Sequence, residues 1–164
     1  MKKYELTAES IVKFGRTLFR IKALVAFGDV KEGELGGFVE KEENLDQSGD
    51  AWVSGDAQVS GDAQVFGDAW VSGDAQIFKT SHYLVVGPLG SRDDFTTFFR
   101  TKHLTIGVKC GCFRGDIDQF FEAVEKTHGN NKHARAYKAA IALAKLQIDL
   151  SKEDSDEEET GKES

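Results

Sequence analysis

From Ser48 to Phe78 the chain repeats a six-residue phrase, Gly-Asp-Ala-x-Val-x, in five near-copies. Glycine recurs at 49, 55, 61, 67 and 73, aspartate at 50, 56, 62, 68 and 74, alanine at 51, 57, 63, 69 and 75, and valine or isoleucine at 53, 59, 65, 71 and 77. Alanine and valine two apart lie on one face of a strand, and Gly-Asp accepts the positive φ that turns a corner. A fixed period of six signals a hexapeptide β-helix, with three flat sides and about 18 residues per coil. Residues 18 apart should then stack. Trp52 and Trp70, the only tryptophans, are 18 apart, and so are Gln58 and Gln76. Two further degenerate hexads are obtained if Val39 and Leu45 occupy small-residue positions, which makes about two coils.

The flanks follow other patterns. "IVKFGRTLFRI" places apolar runs on both sides of Phe14-Gly15-Arg16 and predicts a hairpin. "FGDVKEGELGGFVE" predicts a loop ending in a short strand. After the repeat, "HYLVVG" (82–87), "FTTFFRT" (95–101) and "LTIGVKCGCF" (104–113) predict three strands in an antiparallel meander. "DIDQFFEAVEKTHG" (116–129) predicts a helix capped by Asp116, boxed by Gln119 and ended by Gly129, with Ile117, Phe120, Phe121 and Val124 on its apolar face. A second helix over 131–150, capped by Asn131, carries the stripe Ala134, Tyr137, Ile141, Ala144, Ile148.

The fold class expected is therefore mainly β with an α+β C-terminal unit. An N-terminal β-hairpin cap (1–36) precedes a hexapeptide-repeat β-helix (37–80), an α+β unit of βββαα order (81–150) and a disordered acidic tail (151–164). So short a stack needs caps, because fewer than about three repeat units are seldom stable alone.

The Gly-Asp-Ala-x-Val run resembles the hexapeptide repeat of the left-handed β-helix. The handedness comes from that resemblance, as does the expectation of a trimer. A leader followed by "GDAxVxGDA" runs is also similar to small hexapeptide-repeat proteins of phages and prophages. The resemblance implies a non-enzymatic interaction protein: a phage-encoded inhibitor that binds a host immune component of the CRISPR type, with the repeat as rigid spine and oligomer core.

Composition adds bounds. The chain has 164 residues, 40% hydrophobic, with 12 Phe, enough for a real core. It has no apolar run long enough for a membrane span, and Met-Lys-Lys-Tyr-Glu-Leu has no signal-peptide core behind it. A cytoplasmic protein is expected, in the host cell if phage-encoded, and its two cysteines are too few for a disulfide scaffold. Of the net charge of −7, residues 151–164 supply −5 and the rest only −2. Residues 49–78 hold five Asp and no Lys or Arg, whereas 79–114 carry a net +4. A dipolar molecule follows, with an acidic spine and a more basic sheet.

Candidate chemistry divides along the same line. Asp50 should stack over Asp68 and Asp56 over Asp74. At about 5 Å in water each repulsion costs only about 0.8 kcal/mol, which exposed corners tolerate. These four aspartates, with Trp52 and Trp70, are the partner-binding candidates. The coil itself does not need the tryptophans, which should be buried by a cap or another copy of the chain, or anchor an interface. Phe66 and Phe78 are expected to seat the flanking unit. On the basic side, the Gly-rich turn "GPLGSRDD" (87–94) with Ser91 and Arg92, together with Arg100 and Lys102, could clamp an anion such as a nucleotide. That alternative competes with a plain hairpin loop.

No cofactor and no metal are expected. Cys110 and Cys112 alternate with Ile106 and Val108 and read as core residues of one strand; about 6.5–7 Å apart, they are poorly placed for a disulfide. His82, just beyond the last coil, is the one candidate base for a hexapeptide-repeat acyltransferase, a reading that lacks the coils and the protruding loop of that family. The partner expected is a host protein or ribonucleoprotein complex, with the chain itself a dimer or trimer. Neither a membrane nor direct nucleic acid binding is expected.

Overall fold

The computed structural model describes residues 2–151. The expected acidic tail, beyond Ser151, lies outside the described residues. The fold is mainly β, with two C-terminal helices and several sheets, none of them closed.

The hairpin forms where expected. Strands β1 (Tyr4–Lys13) and β2 (Arg16–Ala23) pair antiparallel around Phe14 and Gly15, both at positive φ. β3 (Leu35–Val39) continues that sheet on the far edge of β2. From β3 the chain enters the repeat, whose strands are two-residue rungs: β4 (Trp52–Val53), β5 (Gln58–Val59), β6 (Trp70–Val71) and β7 (Gln76–Ile77). Trp52 pairs with Trp70 and Gln58 with Gln76, both parallel and both 18 residues apart. The five repeat glycines sit at φ between 62° and 70° and turn the corners. Every repeat Ala and Val is buried in one cluster.

The register of the first coil differs from expectation. Val39 pairs with Val59, and Leu45 bridges Val65. Both therefore stand in the branched-residue columns, not in the small-residue positions. Their offset is 20 residues, because Leu45 to Val53 takes eight steps where the other hexads take six. The extra residues fall in the turn around Asp46-Gln47-Ser48. Three columns result: Val39/Val59/Ile77, Leu45/Val65 and Val53/Val71.

Both ends of the stack are closed by the same chain, and this answers the exposed-edge problem of short rungs. At the first end, β2 covers β3. The Lys3 ammonium donates to the carbonyl of Ala51 at 2.7 Å, and the Tyr4 hydroxyl donates to those of Glu42 and Leu45 at 2.8 and 2.6 Å. At the other end, Ala75 bridges Thr101, the Trp70 amide donates to Thr97 Oγ1 at 2.9 Å, and the Tyr83 hydroxyl donates to the Gln64 carbonyl at 2.9 Å.

The C-terminal unit has four strands, not three. β8 (Tyr83–Leu89), β9 (Asp94–Arg100), β10 (Ile106–Cys110) and β11 (Phe113–Asp116) form one antiparallel sheet in the order β11-β10-β9-β8. The segment expected as one strand over 104–113 breaks at Gly111, whose φ of 56° makes a hairpin turn. β9 is buried on both faces. Phe98 joins the helices' core, and Phe99 joins the core of the stack. This strand is the wall between the two.

α1 (Ile117–His128) and α2 (Lys132–Gln147) form as read from the sequence. Asp116 Oδ1 accepts from the Gln119 amide at 2.8 Å, and Gln119 Oε1 accepts from the Asp116 amide at 2.9 Å. The predicted stripe of α2 is buried, but Phe121 of α1 is partly exposed. Replacing Asp116 with Ala should cost about 1 kcal/mol, the usual worth of a side-chain cap, measurable as a shift of the urea midpoint at unchanged slope.

Candidate functional site on the acidic side of the stack

The hexad period places consecutive aspartates on successive corners, so the two expected Asp pairs stand on different edges. Asp50 and Asp68 share one, and Asp56 and Asp74 share another. A six-residue side spans at most about 20 Å, so the four do not make one charged row.

The two edges differ electrostatically. On the second, Asp56 meets Arg20 at 3.5 Å and Asp74 meets His103 at 3.5 Å. Lys102 lines the same recess, its backbone N–H donating to the Asp74 carbonyl at 3.0 Å. On the first, Lys3 is the nearby cation. It is buried beneath the turn, with Nζ on three carbonyls and 4.7 Å from the Phe27 ring centroid. Burial lowers the Lys3 pKa, which Asp46 and Asp50 partly restore.

A groove of roughly 570 Å³ lies over the two-rung Leu45/Val65 side, and Asp50 and Asp68 stand on the corner that follows this side in the sequence. Glu42, Glu43 and Asp46 line it, and Phe66 stands in it with half its surface exposed. One of these acids is countered: Lys2 meets Glu42 at 2.7 Å. Phe66 was expected to seat the C-terminal unit. It meets that unit edge-on at Tyr83, ring centroids 6.3 Å apart. Sequence reasoning missed Glu42, Glu43, Asp46 and Phe66 as a site, because the two extra residues before the repeat disguise which acids share a side with Val65. Counting back from Val65 to Leu45 rather than to Gln47 is the signal that finds them.

The tryptophans are covered by their own chain. Trp52 is fully buried against Tyr4 and Phe27, with ring centroids 6.5 and 5.3 Å away, and so offers no surface to a partner. Trp70 is half-buried, its Nε1 donating to Ser54 Oγ at 2.9 Å and Lys109 Nζ lying 4.7 Å from the ring centroid.

The proposed anion clamp is not assembled. Ser91 and Arg92 are exposed in the turn between β8 and β9, whereas Arg100 ends β9, about 20 Å of strand away. Arg100 is fully buried, 4.9 Å from the Phe78 ring centroid, and donates to the Gln76 carbonyl at 3.3 Å. Its guanidinium is a fixture of the wall, and Lys102 belongs to the Asp74 recess.

His82 is likewise structural. It is fully buried, edge-on to Phe78, and its Nδ1 accepts the backbone N–H groups of Phe78 and Lys79, both at 3.2 Å. Burial first, then Arg100 and Lys79, push its pKa down to about 4. A nitrogen engaged twice by backbone is not available as a base. Cys110 is half-buried beside Thr96 and Tyr137, while Cys112 is exposed in the turn and not in the core. Among the described residues no group of three or more His, Cys, Asp or Glu side chains is arranged to hold a metal, and no helix is long and apolar enough to cross a membrane.

No protein-family model matches the chain, and no curated protein matches it.

Proposed function

We propose that this chain is a non-enzymatic interaction protein in which a short left-handed hexapeptide β-helix holds an acidic, aromatic-bearing side against a basic surface of its partner. The observation that carries the reading is the half-exposed Phe66 set in a groove with Glu42, Glu43 and Asp46, with Asp50 and Asp68 on the next corner in the sequence. An exposed aromatic ringed by carboxylates suits Lys or Arg side chains, which pair with the acids and lie over the ring. A rigid frame also lowers the entropy cost of binding. With the phage-type resemblance of the repeat, the partner is a nucleic-acid-handling component of host immunity in the cytoplasm, whose basic groove such a surface would occupy. The acyltransferase and anion-clamp readings lose support because His82 and Arg100 are engaged inside the wall.

The test is capture from a host lysate with the intact chain as bait, repeated across salt concentrations. The triple change Phe66→Ala, Asp50→Asn, Asp68→Asn should weaken capture about tenfold or more, equivalent to about 1.4 kcal/mol. Asp56→Asn with Asp74→Asn, on the countered edge, should change it little. Equal capture by the acid-depleted chain, or capture indifferent to salt, would sink the proposal.

A further inference from the structure

We infer that the recess between α1, α2 and the β10–β11 hairpin is a binding site for a small neutral molecule with one aromatic ring and one hydroxyl group, of the phenol class.

The first observation is the size and lining of the recess. It is open to solvent and holds roughly 220 Å³. An apolar cavity of about 150 Å³ accommodates benzene, so one ring with a small substituent fits here. Three aromatic rings line it at angles to one another. Phe120 meets Tyr137 edge-on, with centroids 5.6 Å apart at 88°, and Phe113 lies 5.2 Å from Phe120, tilted by 49°. A fourth ring entering between them meets both edges and faces, the arrangement that aromatic rings prefer. The space exists because one position of α1 is small. Ala123 lies one turn after Phe120 and one turn before Thr127, and all three line the recess. A longer side chain at Ala123 would reach across it.

The second observation selects the polar group. Tyr137 is only 8% exposed, yet its hydroxyl makes long contacts among the described residues: it donates to the Leu89 carbonyl at 3.5 Å and lies 4.0 Å from Cys110 Sγ. Both stand at the limit of a hydrogen bond, whereas a buried tyrosine hydroxyl ordinarily has a firm partner. Cys110 lines the recess as well, so the thiol and the Tyr137 hydroxyl stand side by side, where a hydroxyl on the ligand can pair with the Tyr137 oxygen. Among the described residues no carboxylate, ammonium or guanidinium lines the recess. A charged ring would give up its hydration there without a counter-ion, and a neutral one would not.

Cys110 serves as the reporter. In the full chain carrying Cys112→Ser, iodoacetamide alkylates Cys110, the sulfur displacing iodide. With a dissociation constant for phenol on the order of 0.5 mM, about 10 mM phenol should slow this reaction at least tenfold. Cys112, exposed in the turn and followed in Cys110→Ser, should keep its rate. Ala123→Leu should abolish the protection of Cys110 while keeping its thermal midpoint, because Ala123 is partly exposed. By calorimetry, Tyr137→Phe should bind phenol about tenfold more weakly than the unaltered chain and toluene equally well.

Unslowed alkylation of Cys110 in phenol overturns the inference. Protection that survives in Ala123→Leu, or an equal slowing at Cys112, overturns it as well, because phenol then acts elsewhere or on the reagent. An unchanged phenol affinity in Tyr137→Phe overturns the class of ligand assigned.

Discussion

Lowering the pH from 7 to 4 should cost this fold about 3 kcal/mol through His82 alone. Its pKa is about 4 in the folded chain against 6.5 for an ordinary histidine. A histidine with a depressed folded pKa binds its proton more readily when unfolded. The stability it secures is complete above pH 6.5 and is lost progressively as the pH falls toward 4. At 1.36 kcal/mol per pH unit, the window corresponds to about 3 kcal/mol, or roughly 10 °C in midpoint for a domain of this size. The structural cause is specific. Nδ1 accepts the amides of Phe78 and Lys79, which requires the neutral ring protonated on Nε2. A proton on Nδ1 breaks both hydrogen bonds and adds a positive charge close to Arg100 and Lys79.

The same corner supplies the control. Two coils earlier, the Lys41–Asn44 turn is held by an amide: Asn44 Oδ1 accepts the Lys41 N–H at 2.9 Å, as His82 accepts that of Lys79. His82→Asn should therefore keep the turn and flatten the pH dependence of unfolding between pH 6.5 and 4. His82→Ala should be destabilised even at pH 7. Urea unfolding at a series of pH values separates the two. An unchanged acid slope in His82→Asn would assign the lability to other groups.

What the sequence discloses and what it hides follow from how local each signal is. The buried Ala and Val of the five hexads, the glycine corners and the 18-residue stacking of Trp52 on Trp70 are legible because they are written in a six-residue period. The caps on α1 and α2 are equally local. The hidden features depend on distance along the chain. Tyr4 reaches the Leu45 carbonyl and Lys3 reaches that of Ala51, more than forty residues away in each case, with no periodic trace. The two extra residues before Val53 broke the count and moved Leu45 into the wrong column. With it went Glu42, Glu43 and Asp46, and so the groove. Gly111 did carry a local warning, since glycine inside a strand pattern marks a turn or bulge; the alternation of Ile106, Val108 and Cys110 outweighed it. Charge counts foretold a basic sheet but not that Arg100 points inward, because β9 is buried on both faces and its polar residues serve the wall.

Trp52→Ala should be the most damaging single truncation in the molecule, at about 3–5 kcal/mol. The side chain is the largest of those fully buried, and it lies where three parts of the chain meet: Tyr4 of β1, Phe27 of the loop between β2 and β3, and Gly36 of β3, where even a Cβ would sit 2.7 Å from the indole. Nothing there can collapse cheaply, because β3 is already in backbone contact with Val53. Two features make the experiment discriminating. The indole N–H meets no hydrogen-bond partner in the described structure, and burying such a donor costs about 1–3 kcal/mol. Packing must exceed that cost for tryptophan to hold the site. Trp52→Phe removes the orphaned donor along with part of the volume, so it should lose much less than Trp52→Ala, near 1 kcal/mol. Trp70→Ala, at a half-buried position on the next coil, should fall between the two. Equilibrium unfolding of the three variants orders them. A Trp52→Ala loss no greater than that of Trp70→Ala would mean that the N-terminal hairpin does not clamp the first coil, and that the stack draws its stability from the C-terminal wall alone.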